Sequence, residues 1–128
     1  MRIGIDMRMV LLLVAAVAAT TAQAQDDVAA GRKLALNQCG VCHAFKAGEP
    51  GRQGPELFGV IGRNAGSVAG FGYTDAFTKA LGGKPWDATL LDRWLTDPQS
   101  VAPGTIMLYR QDDPEKRALL IRYLGSLQ

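Results

Sequence analysis

The sequence predicts an all-α fold in one small domain. The chain has 128 residues, a length that suits a single domain. Three segments follow an aspartate that can cap a helix N-terminus, and two of them have apolar residues at helical spacing. No segment alternates apolar and polar residues in the way that a half-buried strand does.

The first 24 residues have the features of an export signal. Arg2 and Arg8 form a basic leader, an apolar run follows, and Ala22-Gln23-Ala24 gives an A-x-A cleavage site. The apolar run is shorter than the roughly 20 residues that a helix needs to cross a bilayer. We therefore expect a signal peptide at residues 1–24, a mature domain at residues 25–128 without a membrane span, and a periplasmic location.

Helices are predicted near both ends of the mature domain, with loops between them. Asp26 or Asp27 can cap a first helix over residues 28–38, which places an acidic group at the positive end of the helix dipole. Glycine and proline are plentiful at residues 48–83, which predicts a middle made mostly of loops and turns.

Two further helices follow the loops. Asp87 can cap a helix that runs through Leu95 and ends at Asp97-Pro98. Asp113 can cap the last helix, with Pro114 at its first position. The last helix has an apolar stripe that is expected in the core, formed by Leu119, Leu120, Tyr123, Leu124 and Leu127. Its charged residues are expected only to solvate the other face, and they are Lys116, Arg117 and Arg122.

Both cysteines and the single histidine lie within one short motif, Cys39-Gly-Val-Cys42-His43. A structural zinc site needs four ligands, and the chain has no further cysteine or histidine. A redox disulfide pair belongs at the start of a helix within a strand-helix-strand unit, whereas Cys39 follows a helix-like segment. The motif C-x-x-C-H is typical of covalent haem attachment, with one haem c bound through Cys39 and Cys42 and His43 as the proximal iron ligand.

Met107 is the candidate for the second axial ligand, because it is the only methionine after Ala24. Pro103-Gly104 predicts a turn just before it, so its thioether stands in a stiff loop. The segment alone is equally compatible with Met107 filling a gap beside Ile106 and Leu108, and the iron could instead take a lysine, a water or no ligand. With a haem present, Met107 is favoured, and an iron with both axial positions filled is suited to electron transfer rather than to catalysis.

Four motifs in order, QCGVCH, GPELFGVIGR, AGFGYTDAF and PGTIM, resemble the class I cytochrome c family. The resemblance covers residues 28–127. It implies a small all-α cytochrome c fold wrapped around one covalently bound haem c, and a protein that is a one-electron carrier and not an enzyme.

The resemblance also implies roles for individual residues. Pro55 is expected to offer its backbone carbonyl to the proximal histidine, and Thr105 and Met107 to form the ligand loop. The expected partners of the haem propionates are Arg63, Tyr73 and Trp86. Gly31 is expected where the first helix crosses the last, against Leu120 and Tyr123.

Several positions depart from the family pattern. Trp94 stands where a tyrosine is usual beside the methionine sulfur, so the resemblance no longer implies a hydrogen bond to that sulfur. Positions where lysines would ring the exposed haem edge hold neutral residues instead: Gln38, Gln99, Ser100 and Ile106. We therefore expect a more apolar docking surface that includes Ile106 and Leu108, with weak dependence on salt.

The predicted function is electron transport between protein redox partners, such as a membrane cytochrome complex, an oxidase, a reaction centre or a periplasmic dehydrogenase. The formal net charge of +2 gives no electrostatic case for nucleic-acid binding. Two alternatives are a haem subunit permanently docked to a dehydrogenase or oxidase, and a ligand-binding sensor or peroxidase from which Met107 dissociates. The protein is expected to be a monomer or a weakly docked subunit.

Overall fold

Residues 7–128 form five helices joined by loops. The computed structural model describes residues 7–128, so Arg2 of the predicted leader lies outside the described residues. The helices are α1 (Met7–Gln38), α2 (Asp75–Leu81), α3 (Ala88–Thr96), α4 (Pro98–Val101) and α5 (Pro114–Gly125). Residues 7–128 contain no strand, and one isolated bridge pairs Asn64 with Pro85. The all-α prediction is confirmed.

Helix α1 is longer than the sequence predicted. It ends at Gln38 as expected, but it is already helical at Met7, so neither Asp26 nor Asp27 caps its start. The expectation was wrong because the apolar run of the leader is itself helical and continues into the domain without a break. This apolar part of α1 is exposed, and α1 is long and apolar enough to span a membrane, a property that signal sequences share.

The crossing of α1 and α5 brings the two ends of the domain together. Gly31 lies so close to α5 that an added Cβ would stand 2.1 Å from the Leu119 carbonyl oxygen and 2.9 Å from the Tyr123 Cβ. Leu120 is fully buried beside this contact, and Tyr123 is buried too. The expected glycine-mediated crossing is confirmed.

Aspartates cap the helices that follow the loops. The Asp87 carboxylate accepts from the Leu90 amide at 2.7 Å, and the Asp113 carboxylate accepts from the Glu115 amide at 2.9 Å. Asp97 ends α3 and also caps α4, which the sequence did not predict. Helix α2 was also missed, although Thr74 marks its start by accepting from the Phe77 amide at 3.2 Å.

The charged face of α5 does more than meet solvent. Arg117 donates from Nε to Asp92 of α3 at 2.8 Å, and its side chain is largely buried. Arg122 donates to Asp27 of α1 at 2.6 Å. The expectation that these two arginines only solvate α5 was wrong, because each reaches an acidic residue distant in sequence.

Candidate functional site

A cavity of about 400 Å³ lies at the centre of the fold, between the C-terminal end of α1, the loops and the segment that precedes α5. All the site residues predicted from the sequence line this one cavity: Cys39, Cys42, His43, Pro55, Arg63, Tyr73, Trp86, Trp94, Thr105 and Met107. Its lining is mostly apolar, with Leu91, Leu95 and Leu124 contributed by α3 and α5.

The two cysteines stand on a single helix-like turn. The amides of Cys42 and His43 both donate to the Cys39 carbonyl, at 3.0 Å and 2.9 Å. Both thiols are free and half-buried, and both line the cavity. Before any covalent attachment, burial is the larger cause and the neighbouring Cys42 the smaller cause that raise the pKa of the Cys39 thiol to about 11, so this thiol is protonated at neutral pH.

His43 is held in the tautomer that an iron ligand needs. Its Nδ1 lies 2.7 Å from the carbonyl oxygen of Pro55, which can only accept, so Nδ1 carries the proton. Burial lowers the pKa of His43, and the Pro55 contact partly opposes that shift. The result is a neutral imidazole whose Nε2 lone pair is available to a metal.

Gly54 is a site residue that the sequence analysis missed. A Cβ at this position would stand 2.2 Å from Cε1 of His43 and 2.7 Å from its Nε2. The Gly54 amide also donates to the Cys42 carbonyl at 2.9 Å. Glycine is therefore required for the imidazole to lie against this backbone, and the only signal for it was its place before Pro55.

Trp94 hydrogen-bonds to the sulfur of Met107. The indole Nε1 lies 3.1 Å from Sδ, and Trp94 is buried. The resemblance no longer implied this bond once tryptophan replaced tyrosine, but the indole N–H is also a donor, and from α3 it reaches the same sulfur.

One wall of the cavity is aromatic. Tyr73 stacks on Phe77 with ring centroids 5.1 Å apart, and Trp94 meets Phe77 and Trp86 edge-on at 5.6 Å and 5.7 Å. The Tyr73 hydroxyl accepts from the Val68 amide at 3.1 Å, which leaves its own proton free to donate. This wall is apolar over its face and carries hydroxyl and indole N–H groups at its edge.

Arg63 brings a positive charge to the cavity. Its guanidinium donates to the carbonyl oxygens of Phe58 at 2.8 Å and Glu56 at 2.7 Å, and pairs with the Glu56 carboxylate at 3.4 Å. These bonds fix the guanidinium plane, and Glu56 was not foreseen as its partner. Thr105 is only 6% exposed. Its backbone N–H donates a hydrogen bond to the Ala102 carbonyl at 3.0 Å, which holds it near Met107.

These residues fit a covalently attached haem c. The cavity offers two thiols for thioether bonds, a neutral imidazole and a thioether for iron, and an apolar lining for the ring. The arginine and the aromatic donors suit buried carboxylates, which need hydrogen-bond partners when they are removed from water.

Curated relatives agree with this chemistry. The chain is 41% identical over 101 residues to a cytochrome c of Cochliobolus lunatus, which covers 78% of this chain and 92% of the relative. The chain belongs to the class I cytochrome c family. A cytochrome c2 iso-2 of Magnetospirillum fulvum is 42% identical over 94 residues, covering 73% of this chain and 95% of the relative. A cytochrome c-550 of Novispirillum itersonii is 35% identical over 111 residues, covering 80% and 99%. No family model matches the chain.

Membership in the cytochrome c family fixes the cofactor and the class of activity. The chain carries one haem c, bound covalently through the cysteine pair Cys39 and Cys42. It is a monohaem electron carrier and not an enzyme.

Proposed function

We propose that this cytochrome c is a periplasmic one-electron carrier whose iron is bound by His43 and Met107. The observation that carries the ligand assignment is that each side chain lines the haem cavity with its position fixed by a hydrogen bond. Pro55 fixes the imidazole of His43, and Trp94 fixes the sulfur of Met107. Groups bonded in this way orient metal ligands and tune their donor strength.

The residues of the chain keep the site unchanged while an electron passes. The haem supplies an iron that cycles between the ferrous and ferric states. His43 donates its Nδ1 proton to Pro55 in both states, and Trp94 donates to Met107 in both. The apolar walls would exclude water from the bound haem, and Arg63, Tyr73 and Trp86 would hold its propionates. Little has to move, which is the requirement for fast transfer of a single electron.

Export with cleavage after Ala24 makes residues 1–24 a signal peptide and residues 25–128 the mature cytochrome c domain. The apolar part of α1 packs against nothing in the described structure, as suits a segment that is removed. Asp27, which forms an ion pair with Arg122, lies three residues after the proposed cleavage site and so stays in the mature chain. N-terminal sequencing of exported protein tests this assignment, and a mature chain that retains the leader would contradict it.

The ligand assignment is tested by spectroscopy of protein made with haem-attachment machinery. The ferric protein is expected to show the weak far-red band of sulfur-bound iron, and Met107→Ala is expected to lose it. Addition of carbon monoxide to the reduced wild-type protein should change the spectrum only slowly. Rapid binding of carbon monoxide would favour the sensor or peroxidase alternative and contradict a stable Met107 ligand.

The docking surface proposed for redox partners is the cavity-edge patch, which consists of Ile106 and Leu108. These side chains are 65% and 77% exposed, and both line the mouth of the cavity on either side of Met107. Arg110, two residues after Leu108, lies 4.0 Å from the Asp97 carboxylate, whereas Arg52 donates to the uncharged Gly40 carbonyl at 2.6 Å and keeps its charge. An apolar patch of this kind supports docking to a protein redox partner with little help from long-range charge.

The exposed patch also favours a second candidate, a haem subunit that stays docked to a dehydrogenase or oxidase. Large exposed apolar groups at one edge are typical of protein-contact surfaces. Gel filtration of natively purified protein separates the two. Elution at the mass of one chain supports the free carrier, and elution with a larger partner supports the subunit.

A further inference from the structure

The loop that carries Met107 is attached to α4 through the side chain of Gln99. Its Nε2 donates to the Thr105 carbonyl at 2.7 Å, and its Oε1 accepts from the Gly104 amide at 3.1 Å. Gln99 itself is fixed, since its backbone amide donates to the Asp97 carboxylate at 3.1 Å. One side chain therefore binds two successive residues of the loop, just before the sulfur ligand.

This contact uses both ends of a side-chain amide. Nε2 donates to the Thr105 carbonyl while Oε1 accepts from the Gly104 amide, and the planar amide group of glutamine or asparagine offers these two roles at separate atoms. Gly104 has a φ of +90°, which shows that the backbone turns sharply where the amide binds it. Asparagine is one methylene shorter, so glutamine is the residue that spans from α4 to this turn.

A second amide binds the loop beyond Met107. Gln38, the last residue of α1, accepts from the Tyr109 hydroxyl and from Nε2 of Gln111, the latter at 3.1 Å. The backbone N–H of Gln111 donates to the Leu95 carbonyl at 2.8 Å. Because Gln38 directly precedes Cys39, this contact joins the far end of the ligand loop to the haem-attachment turn.

We propose that Gln99 and Gln38 are positioning residues that hold the Met107 loop closed from its two sides. The inference rests on the proposed role of Met107 as iron ligand and adds what keeps that ligand in place. Each contact is made by neutral groups, and salt screens interactions between charges. The contribution of these two glutamine contacts to closure is therefore independent of ionic strength.

The test compares variants of the haem-loaded protein. Gln99→Leu removes both bonds to the loop, and Tyr109→Phe removes the bond to Gln38 but keeps the ring. Ser100→Ala is the matched control, because Ser100 is the next residue of α4 and its hydroxyl donates to the Asp97 carbonyl instead. The first readout is the rate at which imidazole binds to the ferric protein, which reports how often the sulfur leaves the iron. The second is hydrogen exchange of the Gly104 amide in the reduced protein.

Gln99→Leu is expected to speed both imidazole binding and Gly104 exchange by about tenfold or more, since two hydrogen bonds are lost. Tyr109→Phe is expected to speed imidazole binding by a few-fold and to leave Gly104 exchange unchanged. Ser100→Ala should match the wild type in both readouts, and added salt should leave the ratio of the Gln99→Leu rates to the wild-type rates unchanged. Unchanged rates in Gln99→Leu, or an equal increase in Ser100→Ala, would overturn the proposal.

A folding defect or a wrong ligand assignment can be told apart from failure of the proposal. If Gln99→Leu does not fold, Gln99→Glu keeps an acceptor for Gly104 and loses the donor to Thr105, and it should bind imidazole faster with Gly104 still protected. If the wild type lacks the far-red band, the assignment of Met107 fails. Exchange at Gly104 then decides by itself whether Gln99 holds the loop.

Discussion

At the residue scale, the surroundings of Met107 set how strongly its sulfur donates to iron. The Trp94 N–H group takes electron density from the sulfur at a distance of 3.1 Å. The same ring packs edge-on against Phe77 and Trp86, so it cannot turn away. The position therefore combines a fixed donor with an apolar wall.

Replacing Trp94 by Phe removes the donor and keeps an aromatic ring. A sulfur without this bond is a better donor and stabilises the ferric state, so the reduction potential should fall. The fall should be about 40 mV or less, because a hydrogen bond contributes about 1 kcal/mol and 59 mV corresponds to about 1.4 kcal/mol for one electron. A redox titration measures it. Trp94→Tyr is the control that retains a donor, and an unchanged potential in Trp94→Phe would show that the bond has no electronic effect.

The proximal side depends on the absence of a side chain at Gly54. In Gly54→Ala the new Cβ overlaps His43, so the imidazole or the backbone must shift away from the Pro55 carbonyl. Overpacking of this kind destabilises by about 1–3 kcal/mol. Thermal unfolding of the haem-loaded variant should show a lower Tm, together with a changed haem spectrum. A variant with wild-type Tm and spectrum would mean that the site accommodates a methyl group.

At the element scale, α1 and α5 depend on close contact at Gly31. In Gly31→Ala the added methyl meets the backbone of Leu119, which cannot rotate aside as a side chain can. The two helices must separate, at a cost of about 1–3 kcal/mol in the free energy of unfolding. Denaturant unfolding measures this loss. Gly125→Ala is the matched control, since its Cβ would meet only Ile61 Cγ1 at 3.9 Å, and equal stability of the two variants would contradict the role of the crossing.

The elements with local signals could be predicted from the sequence, and those that depend on distant contacts could not. Asp87 and Asp113 predict the starts of α3 and α5, because each capping aspartate is followed within a few residues by an apolar stripe. Helices α2 and α4 are short, and α4 has no apolar stripe, so their caps were the only signals. The start of α1 was misplaced because an apolar leader forms helix as readily as the domain does.

The candidate site divides in the same way. The cysteine pair and His43 follow from one contiguous motif, and Met107 follows from being the only methionine available. The contacts of Gln38 with Tyr109 and Gln111 join residues more than seventy positions apart, and no local pattern shows them. The sequence analysis noted Gln99 only as a neutral residue at a position where lysine is usual. Its hydrogen bonds to Gly104 and Thr105 depend on how the loop folds back over α4, which no local pattern shows.

At the scale of the whole molecule, the cavity-edge patch determines how the rate of docking to redox partners depends on salt. Electron transfer to a protein partner should vary little with ionic strength, because the patch consists of two uncharged side chains. Leu108→Lys places a charge at the cavity mouth and should make the rate clearly salt-dependent in stopped-flow experiments. Leu36→Lys is the control, since Leu36 is also exposed but does not line the cavity. A steep salt dependence already in the wild type would contradict the apolar docking surface.

The contact of Gly31 with Leu119 and Tyr123 also affects when the domain can close during folding. It joins α1, which precedes the cysteine pair, to α5, which begins more than seventy residues further along the chain, so it is a non-local contact. Non-local contacts form slowly because the intervening loop must first be closed. Slow formation of the α1–α5 crossing would leave Cys39 and Cys42 accessible for thioether formation before the domain closes around the haem.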